Sequence, residues 1–342
     1  MNRRDFLVMT TAALSVGAGG MSVDERRSSM GVVQYSFSRS DKTKSALDFL
    51  EYCHSLGAGG VQITLDSTAP EYAAKLRRRS QELGMYLEAI LPLPQADKLA
   101  DFEQGVAAAK LAGALCLRSA CLPTRRYETF TTLEEWRRFT VESRQRLRAV
   151  LPIMERQQLP LGIENHKDWI ADELVALLSE FSSEWLGACV DTGNNLALLE
   201  DPMEVVEKLA PYAVTTHIKD MAADEFQDGF RIAEVPCGKG VLDLKRIVTM
   251  ISGSRPKARF SLEMITRDPL QIPCLTDKYW ATFPDRHAVD LARGLRWIRS
   301  HKRSEPLPQI SALDPAARVG VEEQNVRNCL RYAHDTLGLV TA

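Results

Sequence analysis

The sequence predicts an α/β chain folded as a (β/α)8 barrel with a C-terminal helical extension. Three observations carry that expectation. Apolar stretches alternate with amphipathic ones eight times between Gly31 and Ser300. The apolar stretches are near-continuous runs, as parallel strands covered on both faces require. Four of them end in a carboxylate or an imidazole, at Glu164, Asp191, His217 and Glu263, and a barrel of this kind gathers its functional side chains at the C-terminal ends of its strands. A doubly wound open sheet is the rival, but no Gly-x-Gly-x-x-Gly follows any of the strands.

Residues 1–30 read as a leader and polar linker, 31–302 as the barrel and 303–342 as the extension. The first strand is expected over Gly31–Phe37 and its helix over Asp41–Leu56, where Leu47, Leu50 and His54 recur at helical spacing and Gly57 is the stop. Gly60–Leu65 is the second strand, followed by a basic amphipathic helix over Pro70–Leu83 that ends at Gly84. Met85–Leu91 is the third, closed by Pro92, with an Ala-rich helix over Lys98–Ala112 ending at Gly113. Ala114–Ala120 precedes a long helix, Leu133–Gln158, with Pro152 inside it. Strands five to seven are Leu161–His166, Leu186–Asp191 and Ala213–Lys219, separated by helices over Asp172–Phe181 and Pro202–Ala210, the latter with proline in its first turn. A helix over Leu242–Ile251, strand eight at Arg259–Ile265 and a helix over His287–Ser300 complete the ring.

Two connections, Met221–Gly240 and Thr266–Arg286, exceed ordinary loop lengths and are expected over the barrel mouth. The second reads equally as a lid over a polar pocket and as an excursion packed on the rim. Its Tyr279 and Trp280 either stack on a sugar ring or fill the loop's own core. In the extension, Val326, Leu330, Ala333 and Leu337 form one stripe of a helix over Val321–Leu337. Packing on its own barrel is the economical reading. A homo-oligomer built through the barrel helices or this helix is the other.

Composition is that of a globular chain, with 45% apolar and 26% charged residues. A net charge of −2 and the lack of a basic run with interleaved aromatics argue against nucleic acid as a partner. None of the seven cysteines forms a Cys-x-x-Cys pair, and Cys237 and Cys274, in loop segments, are the two to check for pairing. Met1-Asn-Arg-Arg-Asp-Phe-Leu7 and the short apolar run Val8–Gly20 resemble a twin-arginine export signal. The run is too short to span a membrane. The expectation is export, with the protein periplasmic or anchored facing the periplasm.

Three carboxylates and one imidazole make a hard, oxygen-rich set suited to a divalent ion, Mn2+ first, with Mg2+, Co2+ or Zn2+ also accommodated. Such an ion polarises a carbonyl and stabilises the enediolate left when a neighbouring proton departs. Glu164 and Glu263 are the acid/base candidates. Strands five and eight lie apart around the ring, which would set these two on different sides of a sugar. Lys219 shares a strand face with His217, and His166 with Glu164. Both are candidate catalytic groups. Glu88 and Arg118 are candidate substrate contacts, or a structural Glu–Arg pair across neighbouring strands, and Gln34 and Gln62 are candidates of unassigned role.

Ile-Glu-Asn-His, Val-Asp-Thr-Gly-Asn, Thr-His-Ile-Lys-Asp and Leu-Glu-Met occur in this order at successive strand ends. The chain thereby resembles the xylose isomerase-like TIM barrel superfamily of sugar isomerases, epimerases and inosose dehydratases, over roughly Gly31 to Ser300. The resemblance implies that Glu164, Asp191, His217 and Glu263 are metal ligands and that the substrate is a small carbohydrate. It implies isomerase or epimerase chemistry first, keto-sugar dehydration or hydration second, and a non-catalytic sugar-binding barrel third. Two positions depart from the ketose 3-epimerase pattern. Asn194, a candidate substrate contact, stands where those enzymes carry histidine, and Ala223 stands where they carry a substrate-gripping arginine. His217-Ile-Lys219-Asp220 is instead similar to the His-x-Lys-Asp of inosose dehydratases.

Overall fold

The computed structural model describes residues 27–302 and 305–341. The twin-arginine segment lies outside the described residues. Eight parallel strands close into a barrel: β1 (Gly31–Val33), β2 (Gly60–Ile63), β3 (Tyr86–Ile90), β4 (Leu117–Ser119), β5 (Leu161–Glu164), β6 (Leu186–Asp191), β7 (Ala213–Ile218) and β10 (Arg259–Leu262). Sequence neighbours pair in order, and β10 seals the ring between β7 and β1. Helices α1 (Ala46–Ser55), α2 (Pro70–Glu82), α3 (Leu99–Leu111), α4 (Arg126–Thr129), α5 (Leu133–Gln157), α6 (Ala171–Phe181), α7 (Pro202–Leu209), α8 (Leu244–Ser254), α9 (Asp277–Trp280), α10 (Ala288–Ser300) and α11 (Pro315–Asp335) accompany it.

Local chemistry sets these boundaries. Thr132 and Glu135 form a reciprocal capping box at the start of α5. Ser45 and Asp201 cap α1 and α7 by accepting from Asp48 and Met203 backbone N–H groups. The first strand is shorter than expected because Gln34–Ser36 turns into a 3-10 helix. Ser36 Oγ donates to the Leu262 carbonyl and accepts from the Met264 N–H, so it stitches β1 to the end of β10. The segment 21–30 is not a linker at its C-terminal end. Ser28 bridges to Val340 and Met30 is fully buried.

The two long connections are not loops. Met221–Gly240 contains most of a hairpin, β8 (Asp220–Phe226) with β9 (Gly229–Val235), and β11 (Leu270–Ile272) from the second connection adds a third antiparallel strand. The register places Phe226 opposite Gly229. Gly229 takes φ +149°, and a Cβ there would meet the Ile272 carbonyl oxygen at 2.3 Å, so only glycine fits. The Thr266–Arg286 segment is packed on the rim and gives no lid. Tyr279 is 1% exposed, its hydroxyl donates to the Ala197 carbonyl, and its ring belongs to a second core with Phe230, Ile232 and Phe283. Trp280 Nε1 donates to the Cys274 carbonyl.

The C-terminal helix packs on its own barrel. Val326, Cys329, Leu330 and Ala333 join the main core, and buried Glu322 accepts from the Ser38 and Arg39 backbone. All seven cysteines are free and buried, so Cys237 and Cys274 are not paired. No described helix is long and apolar enough to cross a membrane.

Candidate metal centre

Four neighbouring strands, β5, β6, β7 and β10, each deliver one side chain from their C-terminal ends. Glu164, Asp191, His217 and Glu263 are buried and offer ligand atoms that all lie within 4.8 Å of one another. His217 Nδ1 is 3.3 Å from Glu164 Oε2, 3.4 Å from Glu263 Oε1 and 3.8 Å from Asp191 Oδ2. That buried nitrogen makes no hydrogen bond. It faces three carboxylates, and against its burial Glu164 and Glu263 push the imidazole up, the situation of a ligand set built around a cation. Glu164 and Glu263 therefore converge on one point rather than flanking a sugar from opposite sides.

The surroundings orient each ligand. His217 Nε2 donates to Gln62 Oε1 at 2.7 Å, and Gln62 Nε2 donates to Glu88 Oε2 at 2.9 Å. Glu88 Oε2 also accepts from Thr215 and Ser261, and burial pushes its carboxyl up. The relay keeps a proton on His217 Nε2, so that Nδ1 is the nitrogen left to face a bound cation. Asp191 Oδ1 accepts from the Gly193 and Asn194 N–H groups at 2.9 and 2.7 Å, which turns Oδ2 toward the cluster. Asn194 Nδ2 donates to Glu164 Oε1 at 2.9 Å. Asn165 clasps the Asp191 backbone at both N–H and carbonyl, each at 2.8 Å, and passes through Asn195 to Glu200.

Buried cations balance the carboxylates. Arg118 Nε donates to Glu164 Oε2 at 2.6 Å, with Nη2 on the same oxygen. Burial opposes the charged form of Glu164, but Arg118 and His217 outweigh it and hold the carboxyl well below its usual range. Lys219 Nζ lies 2.7 Å from Asp191 Oδ2 and bonds Glu263. Against burial, Lys219 and His217 pull the Glu263 carboxyl down to about 2. Lys167, buried at φ +63°, donates to Asn194 Oδ1, and burial lowers its ammonium to about 8.

An open cleft of about 670 Å³ borders the cluster, with Gln34, Tyr35, Arg118, His166 and Glu263 in its lining. His166 lies beyond the end of β5 and lines this cleft together with Glu263, close enough to Glu164 for the two charges to interact. Its Nδ1 donates to the Leu122 carbonyl at 3.0 Å, and burial lowers the imidazole to about 4. It is a neutral base at ordinary pH.

Several expected substrate contacts are relocated. Glu88 is fully buried on the far side of Gln62 and does not reach the cleft, because three donors hold it at the barrel floor. It does not pair with Arg118 either, since Arg118 reaches Glu164 instead. Asn194, 1% exposed, donates to Glu164 and is not among the residues lining the cleft. Tyr279 and Trp280 do not line the cleft. Lys167, Asn165 and the orienting role of Gln62 had no separate signal beyond adjacency to motif residues or a strand end.

Residues 50–301 match the family described as the xylose isomerase-like TIM barrel. The chain belongs to that family. It is 32% identical over 200 residues to 3-oxo-isoapionate decarboxylase of Pectobacterium atrosepticum, covering 57% of this chain and 68% of that protein. It is 26% identical over 184 residues, 52% of either chain, to the uncharacterized protein YihM of Escherichia coli. Among solved structures it resembles a D-psicose 3-epimerase with a TM-score of 0.60 at 13% identity, covering 91% of this chain and 99% of that one. It also resembles 3-keto-D-glucoside 4-epimerase of E. coli, TM-score 0.54 at 12% identity, over 80% and 100% of the two chains. These structural likenesses speak to the fold. The sequence relative with a named activity is an enzyme, which supports enzyme status for this chain.

Two expected outcomes arise here. Gln62→Leu removes the acceptor that fixes the His217 tautomer. Mn2+ affinity, measured by calorimetry, is expected to fall about 10- to 100-fold while the fold is retained. Unchanged affinity would remove Gln62 from the centre. Glu200, which burial raises to about 7, binds more protons in the folded than in the unfolded chain between its ordinary value and 7. Its contribution is present in acid and lost as pH rises through that window. Glu200→Gln is therefore expected to gain thermal stability relative to wild type between pH 5 and 8. A flat difference would contradict the assignment.

Proposed function

We propose that this chain is a divalent-metal-dependent enzyme that transfers a proton next to a carbonyl of a carbohydrate, the chemistry of a sugar isomerase or epimerase. The observation that carries the reading is the buried, unpartnered His217 Nδ1 facing Glu164, Asp191 and Glu263. These four residues hold the ion, with Mn2+ the first candidate for so oxygen-rich a set. When bound, the ion acts as a Lewis acid on the substrate carbonyl. The chain's own groups do the rest. Glu263, kept ionised by Lys219, lines the cleft and takes the proton. His166, neutral and in the same lining, is the second acid/base group. Glu164 is held on both oxygens by Arg118 and Asn194, so it serves as a ligand rather than as a mobile base.

A second reading is a lyase acting on an oxo sugar acid. It is favoured by the similarity to 3-oxo-isoapionate decarboxylase. Loss of carbon dioxide beside a ketone leaves the same enediolate as loss of a proton, so one site serves either reaction. Export by way of Arg3 and Arg4 is part of our reading. Periplasmic fractionation with an Arg3→Lys, Arg4→Lys double variant tests it.

The function is tested by metal analysis of the purified protein, then proton NMR in D2O with a 3-keto-glucoside and a free ketose, with and without EDTA. Deuterium uptake beside the carbonyl that EDTA abolishes is expected. A metal-free protein that exchanges nothing would sink both readings in favour of a binding barrel.

A further inference from the structure

We propose that the substrate carries a carboxylate and that Arg118 receives it, an inference that rests on the metal-dependent reading above. The first argument is charge. Glu164, Asp191 and Glu263 are already paired within the chain by two cations, with a third close by. Arg118 pairs with Glu164, and Lys219 with Asp191 and Glu263. Lys167 joins the same shell through Asn194 Oδ1, which is 3.4 Å from Lys219 Nζ. Lys167 is 5% exposed and, among the described residues, pairs with no carboxylate of its own. Glu234, the nearby hairpin carboxylate, is paired with Arg267 at 2.7 Å. Even with Glu88 ionised behind Gln62, a site loaded with a divalent ion carries surplus positive charge. An unanswered charge in a buried site is costly. An anionic substrate answers it, and a neutral sugar does not.

The second argument is geometric. Arg118 is the one cationic side chain among those lining the cleft. Its guanidinium is held in place, 7% exposed, with the Tyr35 ring centroid 5.7 Å away. Nε and Nη2 both donate to Glu164 Oε2, and Nη1 meets no acceptor among the described residues. A fixed guanidinium that lines a cleft and keeps one nitrogen unengaged can receive a carboxylate. One free nitrogen suits a monoanionic carboxylate better than a phosphate, which calls for more donors.

The test compares D-gluconate, D-glucitol and D-glucitol 6-phosphate on the Mn2+-loaded protein by calorimetry. Wild type is expected to bind gluconate at least tenfold tighter than glucitol, and tighter than the phosphate. In Arg118→Gln the preference should fall below twofold with Mn2+ still bound, and Arg118→Lys should keep part of it. By linkage, gluconate but not glucitol should also tighten Mn2+ binding to wild type. That readout needs no variant, and chelation in solution works against it. A wild type that binds Mn2+ yet shows no preference for gluconate overturns the proposal and leaves the metal reading standing. So does an undiminished preference in Arg118→Gln, or a stronger preference for the phosphate. If Mn2+ itself does not bind wild type, the metal reading falls first and the anchor with it.

Discussion

His217→Ala is expected to abolish both metal retention and turnover. His217 is the one nitrogen donor of the set, and it is 0% exposed at the meeting point of three carboxylates. Its removal leaves Glu164, Asp191 and Glu263 without the central contact that gathers them. Changes in residues that merely orient a ligand cost about 10- to 100-fold in affinity, so loss of the ligand itself should exceed about 100-fold. Atomic absorption on the dialysed variant should find less than a tenth of the wild-type metal, and isotope exchange should fall to background. Wild-type metal content and exchange rates in His217→Ala would mean that this cluster is not the centre. Glu263→Gln separates the two roles further. It should keep a weakened ion yet lose exchange, because an amide oxygen still ligates and an amide accepts no proton.

Lys219→Met should strongly destabilise the metal-free protein. Lys219 is 1% exposed and touches both Asp191 and Glu263. Deleting one member of a buried ion pair leaves the others uncompensated, at about 3–5 kcal/mol. Unfolding in urea with EDTA should show a loss of that order. Saturating Mn2+ should recover part of it, because the ion replaces the missing positive charge and binds the folded state alone. A change below about 1 kcal/mol in EDTA, against that range, would show that water reaches the cluster and screens it. Equal destabilisation with and without Mn2+ would show that lysine and ion do not share the same carboxylates.

Strand ends were the most legible part of this chain. A charged residue closing an apolar run is a local feature, and parallel pairing carries all such ends to one rim. Glu164, Asp191, His217 and Glu263 were therefore readable one by one, and their meeting followed from topology. The His217–Lys219 pair was legible for the same reason, because His217 sits at the end of β7 and Lys219 one residue past it. The rule does not reach His166, which nonetheless lines the cleft with Glu263. The strand stops at Glu164, and Lys167 takes a left-handed backbone, so period-two reasoning no longer applies. The long connections read as loops because the alternation of β8 and β9 is diluted by charged residues such as Asp224, Glu225 and Arg231. The Asp228-Gly229 turn was the available clue.

By itself the sequence determined the eight-unit ring, the order of its elements and the four candidate ligand residues at its strand ends, because these depend on periodicity and on residues adjacent in the chain. Only the tertiary structure decided the partners. Arg118 reaches Glu164 rather than Glu88, Gln62 orients His217, Asn194 serves the ligands, and Tyr279 fills a core. Those choices depend on which side chains from distant segments arrive within about 3 Å, where hydrogen bonds form. Burial then magnifies them, since a charge removed from water must find its partner nearby.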